Sequence, residues 1–330
     1  MTGPILTIIV SLVLSTPGFA GRLPAETAAG PGRPGSVAES APEGVRCKGQ
    51  PQGTSCWMEL ANQPGCYVWN SYFQEDEALT WTAECVEGLA HGKGTLTEAW
   101  DGGKKKEEKT GRIVKGKALG KWVYRDQDGN VSEGTFEEGM RHGDWVERLA
   151  GGTVQEGPYE AGKRQGKWSL RFATGTVMEG SFAKGYQEGK WVLRFANGNV
   201  HEGPFKVNRR HGNWVERLAN GTVQEGPYVR GRRQGKWVLR FASGTVMEGP
   251  FVAGKRQGHW VERYADGAVL EGSYEAGKEQ GHWVERLADG TIQEGPYEAG
   301  KRHGWWFKRR KGVVVEEAYF VKGEGAWGQS

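Results

Sequence analysis

The stretch "GKWVLRFANGNVHEGPF" at residues 189–205 returns as "GKWVLRFASGTVMEGPF" at 235–251, and close relatives of it fill most of the chain. Nine tryptophans, Trp122, Trp145, Trp168, Trp191, Trp214, Trp237, Trp260, Trp283 and Trp306, follow one another at a constant interval of 23 residues. A glycine stands two before each. Others lie seven, twelve and seventeen after almost every one, with Asn208 and Ala318 as departures. Self-similarity at such a period marks a repeat architecture, in which each copy is a supersecondary unit that cannot bury its apolar face alone. Dipeptides such as Asn220-Gly221 and Asp266-Gly267 between β-prone runs mark turns, so each unit reads as a strand, a turn and a second strand.

Variation between copies fixes the register. A two-residue turn would set Glu147 against Glu156 and Glu216 against Glu225, and like charges directly opposed destabilise a sheet. A three-residue loop instead pairs Leu170 with Met178, Leu239 with Met247, Glu147 with Gln155 and Glu216 with Gln224. Leu193 opposite His201 and Glu262 opposite Leu270 break that matching. Alternation then gathers the aromatic residues on one face: Trp145, Trp168, Trp191, Trp214, Trp237, Trp260 and Trp283 with Phe182, Phe205, Tyr228 and Phe251. Valine, arginine and glutamate take the other. There Arg148, Arg171 and Arg194 are expected to lie diagonal to Glu156, Glu179 and Glu202 eleven places after each tryptophan, a ladder that cross-strand pairing explains without a ligand. The predicted fold is all-β: an elongated single-layer antiparallel sheet, a solenoid-like ribbon of tandem 23-residue hairpins stabilised by nearest-neighbour contacts.

Composition agrees with order rather than disorder. Only 37% of the 330 residues are apolar, yet 54 glycines and 15 tryptophans keep fixed positions. Residues 1–20, "MTGPILTIIVSLVLSTPGFA", hold an apolar run too short for a membrane span and end in the small-x-small trio Gly18-Phe19-Ala20, which reads as a signal peptide. Residues 21–44 form a Pro/Gly/Ala linker. Residues 45–86 hold all four cysteines, Cys47, Cys56, Cys66 and Cys85, among many aromatic residues. In an exported chain this reads as two disulfides stapling a cap too small for its own core. A zinc site is disfavoured because no C-x-x-C knuckle occurs. Three pairings stay open, with a slight preference for adjacent ones. The array is placed at 87–325 and a short tail at 326–330.

"YEAGKRHGWW", "EGPYEAGKRQGKW" and "GLAHGKGTL" at 88–96 resemble the MORN repeat, a hairpin unit of about this length built on Y-x-G-x-x-x-x-G-x-x-H-G-x-G. The likeness covers residues 86–325, and the segment with "CWMELANQPGCYVWN" looks like the lead-in of bacterial exported MORN-type proteins. The second glycine of H-G-x-G is tryptophan here in all nine regular units, and the loop histidine remains only at His142, His211 and His303. In eukaryotic relatives the resemblance implies lipid binding, dimerisation or scaffolding.

No nucleophile elbow, phosphate loop, H-E-x-x-H or EF-hand loop is present, so catalysis, cofactors and metals are not expected. The principal expectation is a non-enzymatic scaffold that binds a protein partner or a second copy of itself, because a strip of aromatic rings on a single-layer sheet calls for cover. The alternative is an acidic phospholipid surface, reached by an edge of basic inter-repeat loops: Lys163, Arg164, Arg209, Arg210, Arg232, Arg233, Lys255, Arg256, Lys301 and Arg302. Glycan binding by the spaced tryptophans has no support beyond the repeat itself. A net charge of only +4, together with the export signal, argues against nucleic acid.

Overall fold

The computed structural model describes residues 42–325 and 327–329, so the signal-peptide reading and the linker up to residue 41 lie outside the described residues. Among those described there is no helix. The chain divides into two units, one ending at Leu119 and one beginning at Gly120.

In the first unit, strands Cys56–Leu60 and Gln63–Asn70 pair antiparallel, with Leu89–Ala90 and Cys85–Val86 completing a small sheet. Strand Ala78–Trp81 pairs with Gly92–Trp100, which pairs with Lys105–Val114. Disulfides join Cys47 to Cys56 and Cys66 to Cys85, with Cα atoms 5.0 and 5.9 Å apart. By loop-closure entropy each of these short loops contributes about 3 kcal/mol. Trp81, Leu79, Leu60 and Ile113 are fully buried beside them. The hairpin carrying "GLAHGKGTL" lies in this first unit, where the Trp81 indole donates to the His91 carbonyl at 3.1 Å.

The second unit is a succession of hairpins in which each strand pairs with its neighbours in sequence and the sheet stays open. The expected register holds. Leu170 faces Met178, Glu147 faces Gln155, Leu193 faces His201 and Glu262 faces Leu270. The three-residue loop is a type I turn closed by a left-handed glycine: Phe172 N–H bonds to Thr176 O, and Gly175, at φ 81°, bonds back to Phe172 O. Two-residue turns with both residues at positive φ connect successive hairpins, as at Ala161-Gly162. Asn208 replaces the second glycine of such a turn at φ 61°, a conformation asparagine tolerates.

One residue per unit decides whether the next strand is whole. Where Pro158, Pro204, Pro227, Pro250 and Pro296 stand, the following strand splits into a two-residue piece such as Lys163–Arg164 and a six- or seven-residue one such as Gly166–Arg171. Where Thr135, Ser181 and Ser273 replace proline, the strands Met140–Arg148, Tyr186–Arg194 and Lys278–Arg286 run unbroken. Proline has no N–H to complete the ladder there.

Candidate interaction surfaces

The aromatic face is a closed zipper. From Trp145 to Trp306, each tryptophan alternates with a tyrosine or phenylalanine at centroid distances of 5.2–6.0 Å, all edge-to-face. Such pairs add about 0.5–1.5 kcal/mol each beyond area burial. Each indole N–H from Trp145 onward donates to the carbonyl ten residues earlier at 2.9–3.2 Å. The glycine twelve after one tryptophan lies under the next: a Cβ on Gly180 would stand 2.1 Å from the Trp191 ring.

An arginine four before the tryptophan covers the ring. Arg141, Arg164, Arg210, Arg233, Arg256 and Arg302 lie 4.1–4.8 Å from their indole centroids. The nine tryptophans are at most 3% exposed within one chain, Trp122, Trp191 and Trp283, which lack that arginine, included. Glycine lets the rings approach, and over six of them an arginine completes the cover, so the tryptophans are buried within one chain.

The same arginines correct the basic edge. Lys163, Arg209, Arg232, Lys255 and Lys301 are exposed on the connecting turns, but Arg164, Arg210, Arg233, Arg256 and Arg302 point the other way, over the tryptophans. Adjacent strand residues take opposite faces.

Two of these arginines at a time close buried boxes that the sequence reading missed. Glu147 accepts from Arg141 at 2.6 Å, from Arg164 at 2.8 Å and from the Tyr159 hydroxyl at 2.9 Å, and Arg164 also reaches Gln155 at 2.7 Å. Glu216 repeats the arrangement with Arg210, Arg233, Tyr228 and Gln224. Burial opposes ionisation of Glu216, yet the flanking arginines prevail and hold its carboxyl below the usual range. Burial conversely pushes His201, beside Glu216, down to about 4. The first unit has its own buried cluster. Glu98 pairs with Lys109 at 2.5 Å, and Glu77, 8% exposed, is pushed up to about 7 by burial and by Glu98.

On the opposite face the Arg/Glu ladder exists with different partners. Arg148, Arg171 and Arg194 bond to Glu133, Glu156 and Glu179, each fifteen residues earlier, at 2.7, 2.9 and 2.6 Å. Arg217 bonds to Glu202 at 2.6 Å, and Arg240 and Arg286 pair with Glu225 and Glu271. The expected rung within a hairpin is therefore a rung between hairpins. Each arginine has a glutamate diagonal to it on both sides and takes the one in the preceding unit. Lys190 and Lys236 add a second cation to the Glu202 and Glu248 carboxylates at 3.2 and 2.7 Å, and the His259 and His282 rings lie 3.6 and 3.5 Å from Glu271 and Glu294.

Among the described residues no group of three histidine, cysteine, aspartate or glutamate residues is placed to hold a metal, and no cysteine is free. No helix of the described residues is long and apolar enough to cross a membrane.

No family model and no curated protein matches the chain. Among solved structures, the TCP domain of SAS-4 from Drosophila melanogaster, in complex with a proline-rich motif of Ana2, is 13% identical over 47% of this chain and 84% of that one, with a TM-score of 0.30. The computationally designed Ika8 protein is 15% identical over 73% of this chain and 95% of that one, at 0.17. Likenesses this low carry no argument.

Proposed function

We propose that the chain is an exported MORN-type scaffold that binds a protein partner through its repeated surface and performs no catalysis. The observation that carries this reading is the self-sufficiency of the tryptophan zipper: a sheet closed on its aromatic side within one chain displays the same charged rows unit after unit. Such rows favour many equivalent weak contacts over one concave site. Two disulfides suit an oxidising, exported setting. The chain from Gly21 should elute as a monomer by light scattering at low and high salt. Cross-links to its partner should map to the charged face at Lys167, Lys190 and Lys236. Cross-links confined to the first unit would refute the reading.

A second reading rests on one stretch of turns. Between Ala183 and Lys255, four successive connections carry exposed Lys184, Lys206, Arg209, Arg230, Arg232 and Lys255, interleaved with exposed Tyr186, Val207, Val229 and Val252, and the Glu188 carboxylate, which accepts from the Val207 N–H at 3.0 Å, is the acidic group beside them. The flanking turns bring back Glu160, Glu275 and Glu298. Basic and apolar residues together suit an acidic bilayer surface, at about 1 kcal/mol per cation. Co-sedimentation with phosphatidylserine vesicles that is lost in R209E/R232E and in high salt supports it. Binding unchanged by either refutes it.

A further inference from the structure

The repeat offers an internal comparison for a site of another kind. Three units beyond Glu216, the positions of the buried box recur as Glu285, Gln293, Tyr297 and Arg302, and Glu285 faces Gln293 as Glu216 faces Gln224. One position differs. Where Arg141 and Arg210 stand in the two closed boxes, the sequence has Glu279.

The exchange leaves recognisable marks. Among the described residues no cation lies within ion-pair distance of Glu262, Glu279 or Glu285, whereas Glu147 and Glu216 each hold two arginines. Tyr297 and Gln293 make no side-chain hydrogen bond there, although Tyr159, Tyr228, Gln155 and Gln224 all do. Gln155 and Gln224 are buried, while Glu285, Gln293 and Tyr297 are half-exposed. Arg256 is engaged with the Tyr274 hydroxyl at 3.0 Å and Lys308 with Glu316 at 3.1 Å, and Arg302 lies over the Trp306 ring at 4.1 Å, as Arg233 lies over Trp237 at 4.2 Å, without a hydrogen bond to Glu285 or Gln293. Glu279 takes the Tyr274 hydroxyl at 3.2 Å and adds a negative charge where the sister boxes have a positive one.

We propose that Glu285 and Tyr297, with Glu279 beside them, bind an arginine side chain of a partner protein, which takes the place Arg210 takes in the closed box. The proposal rests on the scaffold reading and names the chemistry of one contact within it. A guanidinium presents a planar fork of five donors, and a carboxylate and a phenol oxygen side by side accept from it together. The two closed boxes show a glutamate and a tyrosine holding that group in this register, while their glutamines accept from the second arginine, Arg164 or Arg233, whose counterpart here is Arg302.

The test is a titration of the full mature chain with Nα-acetyl-arginine amide and with its uncharged citrulline counterpart, followed on the indole N–H resonances of Trp283 and Trp306. Saturable shifts with the arginine compound are expected, weaker by about tenfold or more with citrulline because the charge-assisted bonds are lost. E279R supplies the guanidinium from within, so it should abolish binding and raise the thermal midpoint. E285Q, which keeps the shape, should weaken binding by a similar factor. Equal response to citrulline, retained binding in E279R, or no saturation in the natural chain would each overturn the proposal. A partner whose binding is indifferent to E279R removes this contact and leaves the scaffold reading standing. Absence of any partner, with arginine-selective titration intact, does the reverse.

Discussion

Replacing Gly226 by alanine tests the zipper at one atom. Gly226 has no left-handed φ, so alanine meets no backbone penalty, and an ordinary Gly→Ala change in such a setting stabilises by about 0.4–1 kcal/mol. Here the added Cβ would stand 2.5 Å from two atoms of the Trp237 ring and 2.6 Å from a third. That ring is fully buried, lies edge-to-face 5.3 Å from Tyr228 and 5.9 Å from Phe251, and donates to Pro227 O at 3.0 Å. Ordinary contact requires a shift of about 1 Å, which overpacking data place at roughly 1–3 kcal/mol. Weakening the indole hydrogen bond adds about 1 kcal/mol. Set against the ordinary gain, the expected net loss is about 1–3.5 kcal/mol, opposite in sign to the usual effect. Because a repeat array is stabilised by neighbours, the loss should appear in hydrogen exchange of the strands around Trp214, Trp237 and Trp260 before it appears in global unfolding. Neutral or slowed exchange in those strands would refute the close-approach argument.

Three further outcomes follow from charge and covalent structure. Hydrogen bonds from Arg217, Arg286 and Arg309 chiefly depress the carboxyls of Glu202, Glu271 and Glu294; their contribution is present above the unfolded value of 4.5 and fades as pH falls through the folded one. Acid titration of the array, read by tryptophan fluorescence, should show stability declining below pH 4.5, and E202Q/E271Q/E294Q should flatten that decline. Glu77 shifts the opposite way, so its contribution is complete below 4.5 and is lost as pH rises through about 7. E77Q should then protect the first unit at pH 8 by something on the order of 2 kcal/mol, measured by exchange in strand Gln63–Asn70. Reduction with dithiothreitol should raise exchange in Cys56–Leu60 and Gln63–Asn70 and leave the hairpins from Val154 onward unchanged, each lost cross-link removing about 3 kcal/mol.

The register was legible because it rests on a clash: Glu147 cannot face Glu156, and the three-residue loop is the arrangement that avoids it. The partner of Arg148 was not, because Glu133 and Glu156 are both one diagonal away and the choice depends on sheet twist, which a sequence does not state. The burial of the tryptophans was half written. Glycine twelve places on was visible as a constant, but only the structure shows it as the floor under the next indole.

The arginine roof was legible and overlooked. Five places before the tryptophans the residue varies among methionine, lysine, tyrosine and arginine, as a solvated position does. Four places before them a basic residue is always arginine, never lysine, as stacking on an indole while forking onto a carboxylate requires. Only Gln187, Glu279 and the opening unit's Ala118 depart. Gln187 stands opposite Phe182, and the positions of Glu147 and Glu216 are taken in its own and the preceding unit by Leu193 and Leu170, so losing the cation there costs no ion pair. Glu279 stands between Glu262 and Glu285, which flank Leu270 on the same face, so an arginine at 279 would serve two carboxylates. The one place where the array most needs its own arginine is therefore the place where it carries a glutamate, which leaves Glu262 and Glu285 without the cation that Glu147 and Glu216 have.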